Sequence, residues 1–331
     1  MTTAAALSVL RLGTRRSTLA RAQTEEVAGA LRAAGCRVEI VGIQSTGDRH
    51  ADVPLHEFAG SGVFVAELRA ALLRGEVDVV VHSMKDLPTA EIPELAIAAI
   101  PRRADPRDAL VTGAGCRLAE LPTGAIVGTG SPRRAAQLRL LRPDLEIRPI
   151  RGNLDTRLGK LHAGGYAALI VAAAGLARLH RSAEAAEFFD PTVMLPAPGQ
   201  GALAVECRRA DIADGGRLAR ILAGLDDPAT RAAVTAERAL LAAVGAGCSA
   251  PVGALGVVTA DTLRLDAVVV DPSGTTAFRR SLTGTPDDAI DLGRRLAADL
   301  IRAGADQLLQ AHEQTGEPHD PNRHDKGTGR P

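Results

Sequence analysis

The sequence predicts an α/β protein with two open-sheet lobes and a smaller third domain. Three observations carry that expectation. Short apolar runs alternate with helical patterns through most of the chain, as in βαβ units with mostly parallel strands. The alternation restarts past residue 100 through the same entrance, Gly-Thr followed by Ser and Arg. From Pro251 it gives way to adjacent strands and one amphipathic helix. With 331 residues, 46% of them hydrophobic, the chain is too long for one core and apolar enough to fill two or three.

In chain order, Ser8–Gly13 reads as a strand, Thr18–Ala34 as a helix and Val38–Ile43 as a strand. A polar, Gly-containing stretch over Ser45–Gly62 reads as a mobile loop, Phe64–Arg74 as a helix, and Val77–Ser83 and Leu95–Ile100 as strands. The second series places strands at Ala125–Gly128, Glu146–Ile150 and Ala168–Ala172, with helices at Arg133–Leu141 and Leu154–Ala163. A strand at Ala202–Glu206 follows Leu195-Pro-Ala-Pro-Gly-Gln-Gly201. Asp227-Pro228 supplies an N-cap and a Pro at the first helical position, opening a helix to about Val244. Strands at Val252–Val258, Leu263–Val270 and Thr275–Leu282 precede a helix over Asp287–Leu309. The expected division is lobe 1 at 1–103 and 200–220, lobe 2 at 104–199, domain 3 at 221–312, and a polar, disordered tail at 313–331.

Thirty-nine basic residues balance 39 acidic ones, so the overall charge gives no reason to expect nucleic acid or a membrane as partner. Only Lys85, Lys160 and Lys326 of the basic residues are lysines, and aromatics make up 2% of the chain. GC-rich coding accounts for the average arginine, and the shortage of aromatics argues against stacking platforms for bases. No apolar run is long enough to span a bilayer, and no basic segment precedes an apolar one at the N-terminus. Cys36, Cys116, Cys207 and Cys248 are widely spaced without a CxxC pair. They read as free thiols in a reducing compartment, which points to the cytoplasm.

The repeated entrance carries the chemistry. Leu12-Gly-Thr-Arg-Arg-Ser17 and Val127-Gly-Thr-Gly-Ser-Pro-Arg-Arg134 each sit at a strand-to-helix turn, where free N–H groups and the helix dipole attract anions. Capping by Ser17 and Ser131 alone would need no arginine beside it. Arg151-Gly-Asn-Leu-Asp-Thr-Arg157 repeats the arrangement, and Arg178 follows the Ala168–Ala172 strand. Ligands of open α/β sheets sit beyond the carboxyl ends of strands. Arg15, Arg133, Arg134, Arg151, Arg157 and Arg178 all fall there, and guanidinium groups fork onto carboxylates. The expectation is an arginine-lined cleft for a ligand with several carboxylates or phosphates. A Walker loop and a GxGxxG after the first strand are both missing, which disfavours a nucleotide.

Val81-His-Ser-Met-Lys-Asp-Leu-Pro88 ends a strand that is apolar on both faces, bringing Ser83, Lys85 and Asp86 to the mouth of the cleft. Asp86 is suited to stabilising a developing cation or steering protons. A surface turn with a weak Lys–Asp pair is the plainer reading. Cys36 and Cys207 suit strand interiors as small hydrophobes. Cys248, in Gly245-Ala-Gly-Cys-Ser-Ala-Pro-Val-Gly253, lies in a Gly- and Pro-rich loop open to close approach, which fits an attachment point or nucleophile.

Together these motifs, with Asp105-Pro-Arg-Asp108, resemble the porphobilinogen deaminase family over about Leu10–Leu309. The resemblance implies two doubly wound, periplasmic-binding-protein-like lobes and a small α+β third domain with a three-stranded antiparallel sheet. It implies a transferase of tetrapyrrole biosynthesis that condenses four porphobilinogen molecules head to tail, with loss of ammonia, and then releases hydroxymethylbilane by hydrolysis. The condensation proceeds on a dipyrromethane cofactor held through a thioether. By resemblance Cys248 carries that cofactor and Asp86 is the catalytic carboxylate. The six arginines bind acetate and propionate groups. Ser17, Gln23, Ser83, Lys85, Thr129, Ser131 and Gly152 make supporting polar contacts, Phe64 is a cleft aromatic, and Ser45–Gly62 is a lid. No metal is implied, and the family suggests a monomer. Three residues depart from the family pattern: Ser61 where a lysine is common, Thr18 where Pro follows the serine, and Asp155 where Gly is frequent. A non-catalytic solute-binding protein would share the lobes but leave Cys248 without a role. A transcription regulator's effector domain would need a helix-turn-helix ahead of the first strand.

Overall fold

Three sheets divide the computed structural model, which describes residues 9–43, 65–246 and 250–309. The first contains β1 (Leu10–Arg15), β2 (Val38–Ile43), β3 (Val79–Ser83), β4 (Leu95–Ala99) and β10 (Leu203–Arg208), in the order β2-β1-β3-β10-β4. The second contains β5 (Asp108–Thr112), β6 (Ile126–Gly128), β7 (Glu146–Arg148), β8 (Ala168–Ala172) and β9 (Ala185–Phe188), in the order β7-β6-β8-β5-β9. The two orders are the same pattern, so the repeated entrance does mark two like lobes.

The expected dominance of parallel strands holds: four of the five strands in each sheet run the same way, and one, β10 in the first and β5 in the second, runs against them. β1 runs parallel to β2 and β3, and β6 to β7 and β8. β10 is antiparallel to β3 and β4, and β5 to β8 and β9. The reason lies in how the chain changes lobes. A βαβ strand ends at the cleft, whereas a strand entered from a crossover begins there and must run the other way. β5 follows the crossover after β4, and β10 follows the return from lobe 2.

Helices α1 (Thr18–Ala33) and α2 (Ala66–Leu73) belong to lobe 1. In lobe 2, α3 (Pro132–Leu141), α4 (Leu154–His162) and α5 (Ala173–Arg178) follow β6, β7 and β8. Lobe 1 buries Leu12, Val27, Leu31, Val79 and Val205 on one face of its sheet. Lobe 2 has a core on each face, one around Val127, Leu138 and Ile170 and one around Leu158, Leu169 and Leu176. Cys207 is fully buried in β10, but Cys36 lies in the turn before β2 rather than in a strand and is half-buried. The helix α6 (Arg217–Ala223) seats Leu222 in the lobe 1 core.

The third sheet is an antiparallel meander of β11 (Val252–Thr259), β12 (Thr262–Val270) and β13 (Ala277–Gly284). Helices α7 (Pro228–Ala243) and α8 (Ala289–Arg302) cover one face, burying Leu240, Leu263, Leu265, Leu292 and Leu296. They approach closely at Gly293, where a Cβ would stand 2.3 Å from the Ala236 carbonyl oxygen. The other face meets lobe 2 through Val268, Val270, Ala136 and Leu195. The long helix expected at 287–309 is interrupted, because Gly304 adopts φ +101°, a conformation suited to glycine. Residues 305–309 are helical again.

Candidate active site

A cavity of about 880 Å³ opens between the lobes, at the carboxyl ends of their parallel strands. Three helices present their N-termini to it. Ser17 accepts a hydrogen bond from Ala20 N at the head of α1 (3.4 Å), and Ser131 from Arg134 N at the head of α3 (3.5 Å). Asn153 accepts one from Thr156 N at the head of α4 (2.9 Å). Each cap satisfies one donor of its first turn, and the remaining N–H groups add positive potential on the cavity side. Gly152 precedes the third cap at φ +104°, and a Cβ there would lie 2.6 Å from Thr156 Cγ2. Only glycine lets the Arg151 backbone turn into α4 at that point.

The floor is the end of β3 and the 3-10 turn Met84–Asp86. Gln23 of α1 donates to Ser83 Oγ at 2.7 Å, fixing that serine. Lys85 Nζ donates to Gln200 Oε1 at 3.3 Å. Among the described residues ten cationic side chains line the cavity, against a single carboxylate, the exposed Asp86. The crowding is visible in the proton affinities. Burial, reinforced by Arg134, pushes Lys85 down to about 8, while Asp86 and Asp108 pull it upward. Burial, again reinforced by Arg134, pushes Arg157 down to about 10, with Asp86 opposing. Such a site is relieved by a polyanion, which stabilises every cation at once.

Of the residues singled out from sequence, Arg15, Ser17, Gln23, Ser83, Lys85, Asp86, Thr129, Ser131, Arg134, Arg151, Gly152, Arg157 and Arg178 all line this cavity. Arg133 does not. It is 2% exposed, and its Nη1 donates to Asp108 Oδ2 at 2.7 Å and to the Leu195 carbonyl at 2.6 Å. Arg134 is divided between roles. It lines the cavity while donating to Asp108 Oδ1, the Ile170 carbonyl and Gln200 Oε1. Arg178 pairs with Glu26 of α1 at 2.8 Å, so it also joins the two lobes. Asp155 turns away to Arg181 at 3.0 Å and does not line the cavity. Thr18 begins α1 without disturbing the Ser17 cap. Phe64, Ser61, the Ser45–Gly62 segment and Cys248 lie outside the described residues.

Several cavity residues were not anticipated. Arg16, Arg139, Arg148 and Lys160 enlarge the cationic lining. Asp108 and Gln200, both fully buried, organise the floor from behind. Burial would raise the Asp108 carboxyl, but Arg133 and Arg134 outweigh it and hold it well below the usual carboxylate range. Glu237 of α7 ties domain 3 to this region. Its carboxylate accepts from Arg103 Nη1 (2.5 Å) on one crossover, from Gly199 N (2.5 Å) on the other, and from Gly256 N (2.8 Å) in β11. Among the described residues no cluster of three His, Cys, Asp or Glu could hold a metal ion.

The chain is 98% identical over 331 residues, all of both chains, to a porphobilinogen deaminase of Acidothermus cellulolyticus. It is 52% identical to one from Mycolicibacterium paratuberculosis over 324 residues, covering 95% of this chain and 99% of that one. Among solved structures, it is similar to a periplasmic substrate-binding protein of an ABC transporter from Coxiella burnetii. That match has 17% identity and a TM-score of 0.42, covering 67% of this chain and 94% of the other. Residues 10–213 match the family model described as porphobilinogen deaminase, dipyromethane cofactor binding domain, and residues 231–302 match the C-terminal domain of the same family. The chain belongs to the porphobilinogen deaminase family.

Proposed function

We propose that the cleft performs the family's reaction with Asp86 as its catalytic carboxylate and Cys248 as the attachment point of the dipyrromethane. In that reaction four porphobilinogen molecules lose ammonia and join head to tail on the cofactor before hydrolysis releases hydroxymethylbilane. The observation that carries the assignment is the lining, among the described residues, of ten cations around one carboxylate. Each pyrrole of substrate and cofactor bears an acetate and a propionate, and the donor set fits them: forked guanidinium groups, two ammonium groups and three helix N-termini. When bound, the dipyrromethane supplies a nucleophilic pyrrole carbon to which the first unit is joined.

The chain's own residues do the rest. Arg15, Arg151, Arg157, Arg178 and the cavity side of Arg134 hold substrate and cofactor carboxylates, with Arg133 bracing Arg134 through their shared Asp108. Ser17, Ser83, Thr129, Ser131, Gly152 and Gln23 complete the polar lining, and Phe64, outside the described residues, keeps the part of cleft aromatic that the family resemblance implies. Lys85 contributes an ammonium while it remains protonated, below about pH 8. When the protonated amino group of porphobilinogen departs as ammonia, the methylene-pyrrole left behind is a cation. Cationic walls oppose that species, and Asp86 is the carboxylate among the described lining residues that favours it. At about 4 Å and an effective dielectric near 20, one opposite charge is worth about 4 kcal/mol. The domain division given above, a monomeric state and a cytoplasmic location complete the reading. Balanced overall charge with cations turned inward supports a protein that engages neither nucleic acid nor membrane.

The test is porphobilinogen against its diamide, in which both carboxylates are neutral. The purified chain should consume porphobilinogen with release of ammonia. The diamide should lose at least about 100-fold in kcat/KM, since hydrogen bonds to charged groups contribute about 1.5–3 kcal/mol each. Equal consumption of the two would remove the cations from substrate binding.

A further inference from the structure

Gln200 is neutral, fully buried and outside the cavity lining, yet it meets both lobes. Its Nε2 donates to the Pro106 carbonyl at 2.8 Å, to the Arg107 carbonyl at 3.3 Å and to Asp108 Oδ1 at 2.8 Å. Three acceptors on that side settle which end of the amide is nitrogen. Oε1 therefore faces the opposite way, where it accepts from Lys85 Nζ and Arg134 Nη2, each at 3.3 Å. Lys85 belongs to lobe 1 and Arg134 to lobe 2. The backbone on either side is pinned as well. Gly199 (φ +73°) and Gly201 (φ +87°) leave no room for a Cβ, which would lie 2.7 Å from Met84 Cγ and 2.6 Å from the Ala104 oxygen, respectively.

We propose that Gln200 is a positioning residue for the reaction: one carboxamide oxygen on the crossover between the lobes holds Lys85 and Arg134 against each other at the base of the cleft. Two like charges on one acceptor repel, and without that oxygen they would separate and take the bound carboxylates with them. The oxygen also favours the protonated form of Lys85. The charged groups acting on that ammonium are Arg133 and Arg134 from α3, Asp108 from β5, and Asp86 from its own turn. The proposal rests on the reading that protonated Lys85 holds a carboxylate of substrate or cofactor.

The test is the pH profile of kcat/KM for the wild type, Gln200→Met, Gln200→Glu and Lys85→Arg, each confirmed folded and carrying cofactor by intact mass. The wild type should lose kcat/KM above about pH 8, and Lys85→Arg should lose that limb because arginine stays charged. Methionine keeps the length but offers no comparable acceptor, so its limb should move down by about one pH unit and KM should rise about tenfold. Glutamate, in either protonation state, still turns an oxygen toward both cations and should keep the limb at or above its wild-type position. An unmoved limb in Gln200→Met, or a downward shift shared by Gln200→Glu, overturns the proposal while leaving the role of Lys85 intact. A limb that persists in Lys85→Arg overturns both.

Discussion

Asp86→Asn lowers kcat by about 10²–10³-fold while the fold and the attached cofactor are retained. That range is typical for removing one group that stabilises charge in a transition state. The substitution keeps the shape of the side chain and removes only its charge. Asp86 is exposed at the end of a 3-10 turn, and substitutions at such positions usually change stability by no more than about 0.5 kcal/mol. Its influence on the cavity is electrostatic, since it raises the proton affinity of both Lys85 and Arg157. Without it, the charged side chains of the lining are all cations among the described residues, and a cationic pyrrole has no carboxylate among them to pair with. Single-turnover ammonia release, read beside thermal unfolding, checks the expectation. Unchanged release would take Asp86 out of the chemistry.

Cys248→Ala abolishes turnover altogether, because nothing is left to carry the first pyrrole. None of the three cysteines within the described residues lines the cavity. Cys207 is sealed in the lobe 1 core, where burial pushes its thiol up to about 11, too high for ready attack at neutral pH. Cys36 precedes β2, and Cys116 follows β5 with its carbonyl accepting from Thr112. The described chain just after Cys248 is fastened near the site. Ala254 N donates to the Pro196 carbonyl at 2.9 Å, and Gly253 packs against Leu195, on the crossover that leads to Gln200 and the cavity floor. The variant should give no colour with an acid aldehyde reagent, whereas Cys207→Ala should still colour. A coloured, active Cys248→Ala protein would move the attachment elsewhere.

Much of this arrangement was legible in sequence because it depends on local chemistry. A Gly-Thr turn followed by Ser and Arg produces the same strand end and capped helix twice, at Ser17 and at Ser131. The apolar β3 run had to bring Lys85 and Asp86 out at its end. What was not legible depends on long-range pairing. Asp108-Ala-Leu-Val-Thr112 is buried at every position, so it carries no alternation to mark it as β5. Ala185–Phe188 is too short and too mixed to announce β9. Arg133 and Arg134 look equivalent in sequence, but neighbouring helix positions point about 100° apart, so one is drawn inside while the other reaches the cavity. Gln200 bears no charge to draw notice, and its side-chain partners come from three separate segments. The zero net charge concealed the main feature, which is the inward turn, among the described residues, of ten cations around one acid.

The most direct measurement is the intact mass of the purified chain before and after a limiting addition of porphobilinogen, with Cys248→Ala measured in parallel. The wild type should carry two linked pyrrole units at rest, then show discrete increments of one further unit up to four, each formed with loss of ammonia. Cys248→Ala should remain at the mass of the bare chain throughout. A bare wild-type mass from cells able to make the cofactor, with porphobilinogen left unconsumed, would contradict the assignment of this cleft.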